Sequence, residues 1–108
     1  MAEANKVLAQ VKPAAATQTT LYTVPGGGVL SAVGHLTICN QGAATTFRVR
    51  INIAGAGDDD KQYLFYDTPI GAGESIPCGP IVMATTDVMK VYATLATVNF
   101  VLQGTEVS

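Results

Sequence analysis

In TFRVRINIA, residues 46 to 54, apolar side chains fall on every second position: Phe47, Val49, Ile51 and Ile53 alternate with Arg48, Arg50 and Asn52. A helix returns to one face only every three or four residues, so a period of two demands an extended strand with one buried and one wet face. The same period runs through DVMKVYATL, where Met89, Val91, Ala93 and Leu95 share a face, and through VNFVLQGTEV, which aligns Val98, Phe100 and Leu102. Ala96 and Thr97 between them suit a tight hairpin, so these two strands are expected to pair antiparallel. KVLAQV, TTLYTV, VLSAVGHLTICN, KQYLFYDT and PIVMA are further strand-like runs, each bounded by Gly, Pro, Asn or Asp. Seven or eight short strands at such spacing predict an all-β fold, an antiparallel β-sandwich of jelly-roll type. Its expected core includes Phe47, Val49, Ile51, Ile53, Phe100 and Leu102, with Asn52 on the wet face.

Helix competes with strand only in AEANKVLAQVK, residues 2 to 12, where Val7, Leu8 and Val11 share a helical face and Pro13 ends the segment. KPAAATQ behind it has the small residues of a linker. Residues 1–13 are therefore read as an N-terminal arm or first strand, and 14–108 as a single β-sandwich domain. The apolar side of an arm must find a partner, which makes Val7, Leu8 and Val11 candidate protein-contact residues. KQYLFYD adds Tyr63 and Tyr66 as contact candidates, because tyrosine suits a surface that is apolar at one end and wet at the other. Strict alternation places Tyr63 with Phe65 on one face and Tyr66 on the other.

Charged residues make up only 13% of the 108, about half the roughly 25% usual for soluble domains, while hydrophobic residues make up 48%. Such a surface is inclined to associate. Six Lys and Arg in a chain of net charge −2 do not supply the clustered cations that track phosphates, so nucleic acid is not an expected partner. No apolar run approaches the ~18 residues that span a bilayer, and MAEANKVLAQVKP lacks the apolar stretch of a signal peptide; a cytoplasmic product with no membrane partner is expected.

Reactive chemistry is sparse. PGGG at 25–28 runs directly into another strand, with no helix to present backbone N–H groups to a phosphate, so it is read as a turn. Asp58, Asp59 and Asp60 lack the spaced ligand pattern of a calcium loop and are read as a solvated turn. His35, the single histidine, sits in a strand-like run with no nucleophile motif around it. Cys39 and Cys78 cannot hold zinc alone and are expected to be reduced. No catalytic residue, metal or cofactor is expected.

The blocks TLYTVP, CNQGAATTFRV and ATTDVMKVYATLATVNF, in that order, carry a resemblance to small structural proteins of tailed bacteriophages, which extends from about Val7 to Val107. The chain departs from that pattern at GGG, 26–28, and at SIPCGPIVM, 75–83, which holds two prolines and Cys78. The resemblance implies an all-β virion component, a head decoration or cement protein without catalytic residues. Its partners would be the major capsid protein and further copies of itself, arranged as a homotrimer. Alternatives are a neck, collar or fibre-associated virion protein, or a carbohydrate-binding β-sandwich module, which the absence of Trp disfavours.

Overall fold

The computed structural model describes residues 3 to 108, and eight strands account for most of them. They are β1 (Glu3–Val11), β2 (Thr19–Thr23), β3 (Ser31–Asn40), β4 (Thr45–Asn52), β5 (Tyr63–Ile70), β6 (Ser75–Ala84), β7 (Val88–Ala93) and β8 (Val98–Val107). Two four-stranded sheets form, in the orders β1-β8-β3-β6 and β2-β7-β4-β5, with every neighbouring pair antiparallel. Apart from β4 and β5, each strand is followed by one in the opposite sheet. That interleaving is the jelly-roll topology, and it confirms the all-β sandwich expected from the alternation.

The alternation does its work between the sheets. Phe47 and Val49 of β4 and Met89 and Val91 of β7 face Leu36 and Ile38 of β3 and Phe100 and Leu102 of β8, all buried. Phe47 stands at the centre, its ring 5.1 Å from that of Phe65 and 6.2 Å from that of Phe100.

Four expectations need correction. β7 and β8 are not a hairpin: they lie in different sheets, and residues 94–97 carry the chain over the end of the core. An alternating pattern fixes which face of a strand is buried but not which strand lies beside it. Hydrogen bonds here draw the connection apart, Thr94 N–H donating to the Thr46 carbonyl of β4 while Gln41 N–H of the other sheet donates to the Thr97 carbonyl. Leu95 is consequently exposed.

Ile53 is not core. β4 ends at Asn52, the chain turns through a short 3-10 segment in which Ala54 takes φ 52°, and Ile53 is left 73% exposed. Asn52 in turn is buried, not wet, because the following loop folds back over it. Its Nδ2 donates to the Ala56 carbonyl at 2.8 Å and to Asp58 Oδ1 at 2.9 Å. Finally, Tyr63 does not act with Phe65. The β4–β5 register slips twice, between Phe47 and Val49 and between Val49 and Arg50, so β5 carries extra residues and loses its two-residue period. Phe65 then packs inward on Phe47 while Tyr63 meets Tyr66 edge to face.

Of the segment read as an arm or first strand, Glu3–Val11 is a strand, hydrogen-bonded along β8 from Glu3↔Val107 to Val11↔Phe100 at the edge of its sheet, and residues 1 and 2 lie outside the described residues. Cys39 and Cys78 are free thiols. Cys78 pairs in register with Leu36 and packs against the core, whereas Cys39 pairs with Ser75.

Candidate functional site

The two outward faces of the sandwich differ in kind. On β2-β7-β4-β5 the outward side chains of β4 are Arg48 and Arg50, placed there because Phe47 and Val49 take the inward positions. Arg48 sits over the rings of Tyr66 and Tyr92, 4.5 Å and 4.7 Å from their centroids, and makes a two-point contact with Asp67, Nε to Oδ1 at 2.6 Å and Nη2 to Oδ2 at 3.2 Å. Arg50 lies 4.3 Å from the Tyr63 centroid and donates to the Tyr63 hydroxyl. A guanidinium thus occupies one side of each ring, including the two tyrosines a sugar would need.

Asp58 gathers the rest of that face. It accepts from Gln18 Nε2 at 2.9 Å, from Asn52 Nδ2 at 2.9 Å and from Lys90 Nζ at 3.0 Å, with Arg50 Nη1 at 3.4 Å. These hydrogen bonds, with the Arg50 charge, hold its carboxyl well below the usual carboxylate range. Asp67, beside Arg48, and Glu106, which accepts from Tyr22 Oη and pairs with Lys6 Nζ at 2.9 Å, are lowered too. A carboxyl whose folded pKa lies below its unfolded value adds stability above the unfolded value, and that stability is lost as pH falls through the folded one. The urea midpoint should therefore drop below about pH 4, and Asp58→Asn should lower it at neutral pH while flattening the acid limb. An unchanged acid limb in the variant would show that Asp58 is not held this way.

The acidic run is thus not merely solvated. Asp58 clamps the loop to the sheet, and Asp59 caps the 3-10 turn Asp60–Gln62, its side chain accepting from Lys61 N–H. Among the described residues no three His, Cys, Asp or Glu side chains gather as metal ligands.

The outer face of β1-β8-β3-β6 carries almost no charge. Val33, His35 and Thr37 of β3 stand in register with Thr105, Gln103 and Val101 of β8. Asn5 and Val7 of β1 extend this surface on one side, Val82 and Pro77 of β6 on the other, and all ten are exposed or half-buried. Of six Lys and Arg and eight Asp and Glu, none is among these ten; Glu3 stands at one corner of the face and Lys12, beside Gln10 and Asn99, at its far end. Sequence reasoning did not single the face out, yet a signal is present: no Asp, Glu, Lys or Arg occurs between Lys12 and Arg48, between Glu74 and Asp87, or between Lys90 and Glu106.

The contact candidates are not brought together. Val7, 52% exposed, belongs to the uncharged face, while Leu8 and Val11 pack against the core. Tyr63 and Tyr66 lie on the charged face, beside Asp60 in an open depression of about 370 Å³. His35 projects from β3 on the uncharged face, against Gly79. PGGG is a turn, with Gly27 and Gly28 at φ 65° and 108° and no atom within 4 Å of where a Cβ would stand.

The fold and its surfaces define a jelly-roll β-sandwich with one ionised and one uncharged sheet face. No protein-family model matches the chain, and no curated protein matches it.

Proposed function

We propose that the chain is a structural component of a tailed-phage virion, a head decoration protein that lays the uncharged face of β1-β8-β3-β6 on the outside of the shell and stabilises it. The observation that carries this reading is the charge asymmetry of the two sheet faces. Four strands about 4.8 Å apart and nine or ten residues long cover roughly 19 by 33 Å, about 600 Å², approaching the ~800 Å² each partner gives to a standard interface. A face free of ions can be taken out of water without stranding a charge. On the other face Arg48, Asp58, Asp67 and Lys90 remain partly in water, with Arg50 buried beneath them, and this charged surface favours solvent. The phage resemblance of TLYTVP, CNQGAATTFRV and ATTDVMKVYATLATVNF supplies the setting, and jelly rolls are common among viral shell proteins. Fold alone would not assign a function.

The major capsid protein is the partner in this reading, and no catalysis or cofactor enters it. Copy number separates a decoration protein from a neck, collar or fibre component. Quantitative mass spectrometry of purified virions should find the chain at a level comparable to the major capsid protein; about a dozen copies per particle would place it at the neck instead.

A further inference from the structure

Each sheet of the sandwich has two edges, and three of the four are blocked against pairing with another strand. β6 carries Pro77 and Pro80, β5 carries Pro69 and two register slips, and β2 has only five residues with a slip of its own. β1 differs. It is nine residues long, contains no proline, and among the described residues has β8 as its sole strand neighbour. Its one cation, Lys6, is paired with Glu106 within the sheet and so does not guard the edge. Residues Glu3 to Val7 run in unbroken register with β8 before the slip that follows Val7, and all five are exposed.

We infer that this edge pairs with the same edge of a second copy, β1 against β1, antiparallel about a two-fold axis. Such an axis, perpendicular to the sheet, keeps each residue on its own face, so a residue meets one an even number of positions away or its own equivalent. The regular stretch Glu3 to Val7 centres on Asn5. In that register Asn5 faces Asn5, Glu3 faces Val7 and Ala4 faces Lys6, so no like charges are opposed; centring on Lys6 would oppose two ammonium groups. Pairing joins two sheets into one of eight strands and sets the two weakly charged faces side by side, with Glu3 of each copy beside Val7 of the other at the seam. It closes at two subunits, unlike the trimer that the phage resemblance implies. The inference rests on the edge geometry and is tested on the isolated chain, so its failure would be distinct from failure of the proposed function.

Charge exchange at Asn5 tests it, because a residue on the two-fold meets only its own copy. Sedimentation of the purified chain should show a monomer–dimer equilibrium, and Asn5→Lys and Asn5→Asp should each dimerise several-fold more weakly. An equimolar mixture of the two variants should recover dimers, with native mass spectrometry showing one chain of each kind. Asn5 is exposed, and its main local tie is acceptance of a hydrogen bond from the Thr105 hydroxyl, so both variants should keep the far-ultraviolet dichroism of the parent. A parent chain that stays monomeric at millimolar concentration would overturn the inference. So would a trimer, or variants that dimerise as well as the parent.

Discussion

Phe47→Ala is expected to cost about 3 to 5 kcal/mol, seen as a large fall in the urea midpoint. The ring is fully buried between the sheets, in contact distance of Phe65 from its own sheet and Phe100 from the other. Removing it takes away the apolar transfer term and leaves a cavity where the sheets meet, and paired strands held by backbone hydrogen bonds can close in only partly. Ile53→Ala, one strand-length further on, should change stability by no more than about 0.5 kcal/mol, because Ile53 lies outside the sandwich. Equal losses for the two would mean that β4 continues through Ile53 and that the turn at Ala54 is misplaced.

A second large effect comes from adding one methyl group. Gly104 of β8 stands opposite Gly34 of β3, and a Cβ on Gly104 would lie 2.0 Å from the Val33 carbonyl oxygen and 2.6 Å from the Gly34 Cα. These are backbone atoms of a central strand, which cannot swing aside as a side chain can. Gly104→Ala should therefore cost about 3 kcal/mol, at the upper end for overpacking, with a matching drop in thermal midpoint. Gly57→Ala is the control: no atom lies within 4 Å of its added Cβ, and its stability should stay within about 0.5 kcal/mol of the parent. A Gly104→Ala variant as stable as the control would show that β3 and β8 do not approach this closely.

What could be read in the sequence follows from how local each cause is. The inward positions of β4, β7 and β8 were legible because alternation is written into each strand by itself. Neighbour relations were not: Met89, Val91 and Ala93 and Val98, Phe100 and Leu102 would alternate identically side by side in a hairpin or face to face across a core. The burial of Asn52 depends on a loop that returns from Ala56 and Asp58, and the edge-to-face contact of Tyr63 with Tyr66 depends on register slips with no local mark in KQYLFYD. Residues 3–11 balance helix and strand preference, and pairing with β8 settles them. The uncharged face was written in the chain as long intervals without Asp, Glu, Lys or Arg, but its meaning needed the topology that sets β3, β8 and part of β6 side by side.

Co-sedimentation with shells assembled from the major capsid protein of the phage proposed to encode the chain tests the central claim most directly. The parent chain should pellet with the shells. A Thr37→Lys, Gln103→Lys variant, which places two ammonium groups on the uncharged face at exposed positions of β3 and β8, should remain in the supernatant although folded. Thr20→Lys, at an exposed position of β2 in the opposite sheet, should pellet like the parent. Loss of binding with Thr20→Lys and retention with the double variant would put the contact on the other sheet, and a parent chain that never pellets with shells would contradict the decoration role itself.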